Sequence, residues 1–214
     1  MLEAALQVIE EAGPGQEVHA HQIAERAGLS RTVLYRHFID RADLDRAAQA
    51  EILDRLGREI LPVMSLDGTP AQVVRRIVAA YVGWAAAHPA LHRFAALDVP
   101  GEGPSPLART VGQLAHQIET LITLAAQLLE VPMDDDLRSG LDPLVFGIVG
   151  SGMAACRRWL GRPERVPEQE VFIDLVAQSI WFQLAGMAAA RGVVIDPDTP
   201  LQDVFGGVVQ DVAP

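Results

Sequence analysis

Apolar residues recur at helical spacing along nearly the whole chain, and that periodicity predicts an all-α protein. Leu2, Ala5, Leu6 and Ile9 lie on one face of a first helix over Met1–Ala12, with Glu3, Glu10 and Glu11 outside it. Gly13–Pro14–Gly15 ends that helix. Ile23, Ala24 and Ala27 then mark a short helix stopped by Gly28, and Ser30 is placed to cap a further helix through Arg31–Phe38. A long helix over Arg41–Leu61 carries the stripe Leu44, Ala47, Ala48, Ile52, Leu56 and Ile60 and ends near Pro62. Beyond a loop at Met64–Pro70, the pattern predicts helices over Ala71–Ala87, from Pro89 to about Leu97, and over Leu107–Leu129, the last with a stripe from Val111 to Leu128. Asp98–Pro106 and Val131–Asp136 read as connections, and Asp134 and Asp136 as solvated loop charge.

The last two helices, 137–160 and 168–191, are apolar around most of their circumference. A helix of that kind has two faces to bury, so one packs on the body and the other needs a partner. Gly147, Gly150 and Gly152 would let a second helix come close. Two copies of this helical pair meeting symmetrically are the expected solution, which makes the protein a homodimer. The tail Val193–Pro214 reads as loosely packed.

The stretch from Ala20 to Arg41 is the most informative. A helix, a short turn containing Gly and a second helix form a helix-turn-helix, whose second helix lies in the DNA major groove. Arg31, Thr32, Tyr35, Arg36 and His37 can donate hydrogen bonds, while Val33, Leu34 and Phe38 are available to pack. Arg31, Thr32 and Val33 stand at the N-terminal end, where such proteins meet base edges. Arg31 suits a guanine; Val33 or the Thr32 methyl suits a thymine methyl. Ser30, Tyr35, His37 and Arg41 are placed for phosphates, and His19 and His21 flank the start of the preceding helix. On this division Tyr35→Ala weakens binding to all sequences alike, whereas Arg31→Ala relaxes preference at one base pair.

Ala4–Ala5–Leu6 with Gly13, Ile23–Ala24, Ala27–Gly28–Leu29–Ser30, Leu34–Tyr35–Arg36–His37–Phe38 and Asp43–Leu44 resemble, in order and spacing, the N-terminal domain of the tetracycline-repressor (TetR) family. The resemblance spans Leu2 to about Ala48, roughly a quarter of the chain. It implies a three-helix DNA-binding domain over 1–48 and a larger helical domain over 49–214 that binds a small molecule and dimerises through the last two helices. It also implies that the ligand acts by moving the long helix after the reader. Two departures lower the expected DNA affinity. The family's basic arm ahead of the first helix has no counterpart before Met1, and His19 stands where a capping Ser or Thr is usual. Arg41 fills a position where the family commonly has lysine.

Composition changes this picture only locally. The net charge is −11 over 214 residues, which argues against a nucleic-acid partner until it is read by segment. Ser30–Arg41 holds Arg31, Arg36 and Arg41 against Asp40 alone, a basic surface on an acidic body. All 17 basic residues are arginine, as a G+C-rich coding bias would produce. The single Cys156 allows no intrachain disulfide and fits a reducing, cytoplasmic setting. The longest charge-free runs, Leu175–Ala190 and Ile77–His92, fall short of the roughly 20 residues a membrane span needs.

In the helical body, Tyr81, Trp84, His88, His92, Arg93, Phe94, Gln113, His116 and Met153 are the candidate ligand-binding residues, suited to a largely apolar effector with few polar anchors. Tyr81, Trp84 and Phe94 taken singly are equally plain core. His88 and His92 share a helix face and with His116 could ligate a metal, but no Cys or carboxylate clusters with them, so no metal and no cofactor are assigned. Cys156 beside Arg157 and Arg158 is a buried structural thiol or, alternatively, an activated one. No phosphate loop, nucleophile elbow or metal-protease motif is present, so the protein is not expected to be an enzyme. The reading is a ligand-responsive transcriptional repressor, binding a pseudo-palindromic operator as a homodimer. The alternative is a helical small-molecule binding or interaction protein with a vestigial DNA head.

Overall fold

The computed structural model describes residues 1–13, 16–65, 67–128 and 132–203. Expectations placed on Pro14, Gly15, the Leu128 side chain, Leu129, Val131 and residues 204–214 lie outside the described residues. All the regular elements described are helical: α1 (Leu2–Glu11), α2 (Ala20–Arg26), α3 (Arg31–His37), α4 (Arg41–Ile60), α5 (Pro70–Ala87), α6 (Pro89–Ala95), α7 (Pro106–Leu128), α8 (Asp135–Leu160) and α9 (Gln169–Ala189), with a 3-10 turn at Leu61–Val63. Pro62 ends α4 through that turn, and Pro89 and Pro106 each sit at the first position of a helix, where the missing N–H is not needed.

The chain folds as two compact units, one formed by Met1–Glu59 with Trp84–Thr110 and the other by Ile60–Gly83 with the chain from Val111 onward. The first unit thus takes in α6 as well as the segment up to residue 48. Its core joins Ala5, Leu6 and Ile9 of α1, Ile23 and Ala24 of α2, Leu34 of α3, Leu44, Ala48, Ile52 and Leu53 of α4, and Leu91 and Phe94 of α6. Two side chains of α4 tie in the segment that follows α6. Gln49, almost wholly buried, donates from Nε2 to the Phe94 and Leu97 carbonyls at 3.1 and 2.9 Å. Arg46 donates to the carbonyls of Val99, Glu102 and Pro104 at 3.4, 3.1 and 3.0 Å. Loop carbonyls without helical partners need donors, and a guanidinium supplies several from one side chain.

In the second unit, Arg76 serves the loop before α5 in the same way, donating to the Val63, Ser65 and Asp67 carbonyls at 2.8, 2.5 and 3.1 Å. Ala115, Leu141 and Val145 form a small core with Ile118, Ile122, Val149 and Met187. Where α8 turns into α9, Trp159 stacks on Phe172 at 4.8 Å between centroids, and its indole N–H donates to the Pro167 carbonyl at 2.9 Å. The acidic cluster before α8 is not loop charge. Asp134 caps α8, its carboxylate accepting the Leu137 N–H at 2.7 Å, and Asp135 and Asp136 occupy the first turn, where the helix dipole favours them.

α8 and α9 are also longer apolar elements than their charge-free runs suggest. By length and composition both suffice to cross a membrane, with mean hydropathy of 1.3 and 1.4 over their most apolar windows, because one or two charges within a helix do not interrupt it. Only 22% and 17% of those windows is buried. The exposed side chains include Leu144, Phe146, Val171, Leu175 and Phe182.

A candidate DNA-reading surface

The turn between α2 and α3 is built by local chemistry. Gly28 adopts φ of 65°, a left-handed conformation open to it because it lacks a Cβ. The Leu29 N–H then reaches the Ala24 carbonyl at 2.9 Å and the Gly28 N–H the Glu25 carbonyl at 3.0 Å, the paired bonds of a Schellman ending. Ser30 follows at once, its hydroxyl accepting the Val33 N–H at 3.3 Å to start α3. At the front of α2, the His19 N–H donates to the Gln22 side chain at 2.7 Å, so Gln22 supplies the reciprocal half of a capping box where His19 replaces the usual hydroxyl. Both ends of the turn are set within a few residues of it.

α3 is fixed from below by Leu34, which is fully buried, with Tyr35 and Phe38 packed against the same core. Its outer face presents Arg31, Thr32, Arg36 and His37, all exposed, with Val33 half-buried. α3 itself carries no carboxylate, and neither Arg31 nor Arg36 forms an ion pair among the described residues. Arg31 lies over the Tyr35 ring, its guanidinium carbon 5.5 Å from the centroid. His19 and His21 are exposed and stacked on each other at 5.6 Å.

Arg41 is placed differently from Arg31 and Arg36. Its Nε donates to both carboxylate oxygens of Asp45 at 2.8 Å, which removes part of the positive field expected of it. Partial burial pushes the Asp45 carboxyl above its ordinary range, and Arg41 pulls it back only in part. Asp45 was missed in the sequence, although its i,i+4 spacing from Arg41 is a signal. The lone acid of the basic stretch, Asp40, turns out to cap α4. It accepts the Asp43 N–H at 2.8 Å, and Asp43 accepts the Ile39 N–H at 3.0 Å.

The ligand candidates are not gathered in this way. Trp84, His88, His92, Arg93 and Phe94 belong to the first unit, whereas Tyr81, Gln113, His116 and Met153 belong to the second. His92 and Phe94 are buried, His88 faces Glu10 at 3.2 Å, Gln113 is exposed, and exposed His116 faces Glu119 at 3.2 Å. Among the described residues no three His, Cys, Asp or Glu side chains are grouped to hold a metal. Cys156 is fully buried beside Tyr81, and burial pushes its thiol up to about 11, so the arginines that follow it do not activate it.

Two grooves are prominent. One, of about 520 Å³, lies between α8 and α9 and is lined by apolar residues including Ala155, Trp159, Val176 and Ile180, with Arg158 and Arg162 also on its wall. The other, of about 600 Å³, is a polar cleft beside α1 and α2 bearing Glu11, Glu17, Glu25 and Arg26. Neither is lined by any of the nine ligand candidates.

An all-helical chain with a capped helix-turn-helix and an open, arginine-bearing second helix is of the class of helix-turn-helix DNA-binding regulators. Comparison with known proteins agrees. Residues 1–48 match the family model of bacterial regulatory proteins of the tetR family. An uncharacterized HTH-type transcriptional regulator found in two strains of Mycobacterium tuberculosis is 28% identical over 179 residues, covering 83% of this chain and 74% of that protein. Among solved structures, a tetR-family transcriptional regulator from Streptomyces coelicolor superposes with a TM-score of 0.64 at 18% identity, covering 98% of this chain and 86% of that one. The transcriptional regulator FadR from Bacillus subtilis, solved in complex with stearoyl-CoA, gives 0.60 at 16% identity, with coverage of 84% and 95%. Residues 1–48 thus match the DNA-binding domain of the tetR family of bacterial regulatory proteins, and over most of its length the chain is similar to an HTH-type transcriptional regulator and shares the fold of tetR-family regulators.

Proposed function

We propose that the protein is a cytoplasmic homodimeric repressor that binds a pseudo-palindromic operator and is released from it by a small, largely apolar effector. The observation carrying this reading is the outer face of α3. Arg31, Thr32 and Arg36 stand exposed without carboxylate partners, on a helix whose inner side is locked by Leu34. Residues 1–48 do the reading, with Arg31, Thr32 and Val33 at base edges. Ser30, Tyr35, Arg36, His37 and Arg41, with His19 and His21, meet phosphates. Two such helices related by a two-fold axis enter major grooves about 34–36 Å apart.

Dimerisation through α8 and α9 is supported by Phe182, Leu175 and Leu144, exposed at 62%, 53% and 48% on the single chain. Such a surface is costly to leave in water and matches a partner copy carrying the same surface. The stearoyl-CoA in the FadR structure supports a long-chain acyl compound as the first effector class to try. Tyr81 and Met153, half-buried in the second unit, are the ligand candidates to vary first. Near-complete release requires the effector to prefer the non-binding state by about 5.5 kcal/mol.

The test is selection of genomic fragments by the full chain at two salt concentrations, alongside sedimentation velocity of wild type and Phe182→Glu. Enrichment of one inverted repeat by a dimer, lost together with the dimer in Phe182→Glu, is the expected result. Uniform recovery of DNA that vanishes at moderate salt would leave only phosphate contacts and favour a binding protein with a vestigial head.

A further inference from the structure

We infer that Tyr35 is a positioning residue for base recognition, its ring holding Arg31 in the orientation that reads a base, in addition to any phosphate contact its hydroxyl makes. This rests on the regulator reading and deepens it.

The geometry separates the two arginines at the ends of this region. Arg41 is held by Asp45 edge-on, so its Nε–H is consumed and its charge is offset. Arg31 lies over the Tyr35 ring with its guanidinium carbon 5.5 Å from the centroid and makes no hydrogen bond or ion pair among the described residues, so the contact offsets none of its charge and leaves its donors free. A base-reading arginine needs those donors, because recognition of guanine O6 and N7 is a bidentate edge contact.

The ring can do this because it is itself fixed. Helical side chains lean toward the N-terminus, which brings residue 35 under residue 31 one turn earlier. Tyr35 is half-buried and packs against the core of the first unit, so the platform is held independently of the exposed arginine. Unsupported, a solvent-exposed arginine samples many rotamers and loses that freedom on binding. Held over the ring, it has lost part of it beforehand. The two residues therefore do not divide into one base reader and one independent phosphate contact, as their residue types alone suggest.

The experiment uses the full chain as wild type, Arg31→Ala, Tyr35→Phe, Tyr35→Leu and Tyr35→Met. Each is put through selection on random duplexes and then titrated by fluorescence anisotropy against the selected duplex and its single base-pair variants, with far-UV circular dichroism as the check on folding. Arg31→Ala identifies the base pair concerned. Tyr35→Phe is expected to lower affinity for every duplex alike while keeping full discrimination at that pair. Tyr35→Leu and Tyr35→Met are expected to lose about two- to fivefold in discrimination there and none elsewhere, the size of an exposed cation–π contact.

Full discrimination at that pair in the folded Leu or Met variant overturns the inference, with the regulator reading intact. So does equal loss in the Phe variant, or a loss spread over all positions. A wild type that selects no sequence overturns the regulator reading and this inference together.

Discussion

Gln49 offers a sharp test of what holds α4 to the segment after α6. Its side chain is 1% exposed, Nε2 donates to two carbonyls, and Oε1 has no hydrogen-bond partner. The amide orientation follows from the neighbours, since both carbonyls can only accept. Replacing it by methionine removes two hydrogen bonds, about 1 kcal/mol each, and strips the Leu97 carbonyl of its Gln49 donor, while also removing the unpaired Oε1; the stranded carbonyl and the removed oxygen, about 1–3 kcal/mol each, offset one another. The cost of the two lost hydrogen bonds remains, so Gln49→Met should destabilise by about 2 kcal/mol. Gln49→Glu has the same shape and the opposite chemistry. It sets a carboxylate against two carbonyl oxygens in a site closed to water and should cost about 3 kcal/mol or more at neutral pH. Burial and the carbonyl dipoles raise the folded-state pKa of that glutamate above its unfolded value near 4.3. The variant's deficit is therefore smallest below about pH 4 and grows as pH rises through the folded-state pKa. Urea unfolding of the three proteins across that range, with amide hydrogen exchange at Leu91–Leu97, measures both effects. A Glu variant as stable as the Met variant at pH 7 would refute the buried clip.

Three further expectations concern the reading unit. Gly28→Ala forces an L-residue to φ of 65° with open space around its Cβ, so the loss is conformational, about 1–2 kcal/mol; Gly57→Ala, inside α4 and equally uncrowded, should instead stabilise by about 0.5–1 kcal/mol, and thermal melts separate the two. Asp45→Asn removes a partly buried charge and releases Arg41, so neutral-pH stability should hold within about 1 kcal/mol while affinity for random duplex rises and its log–log salt slope steepens by about 0.9 per protomer in filter binding; an unchanged slope would show that Arg41 does not reach phosphate. Glu11 pairs with both terminal nitrogens of Arg26 at 2.8 and 2.5 Å, which holds its carboxyl below its ordinary 4.5. The pair's contribution is thus present above that value and lost as pH falls through the folded-state pKa, and acid titrations of wild type and Glu11→Gln should converge at low pH and separate toward neutrality.

Much of the reading unit was legible along the chain because its decisive interactions are local. Gly28 and Ser30 act on partners three to five residues away, and periodicity alone places Leu34, Leu44 and Ile52 inward. Helix ends and faces depend on contacts of this range, so residue spacing determined them. The Arg41–Asp45 and Arg31–Tyr35 pairs lie between the two cases. Their spacing of four puts them on one face, but spacing does not say that one arginine is neutralised by a carboxylate and the other only lies over an aromatic ring. That depends on the ring's packing and on the depth of Asp45, which the tertiary structure decides. The same holds for Gln49, Arg46 and the ligand candidates. Gln49 finds its acceptors 45 and 48 residues away and Arg46 finds its own 53 to 58 away. Tyr81 and Trp84, three residues apart on α5, fall into different compact units. Nothing in a local pattern ranks such pairings, because burial makes a polar side chain's partners obligatory only after distant segments have closed around it.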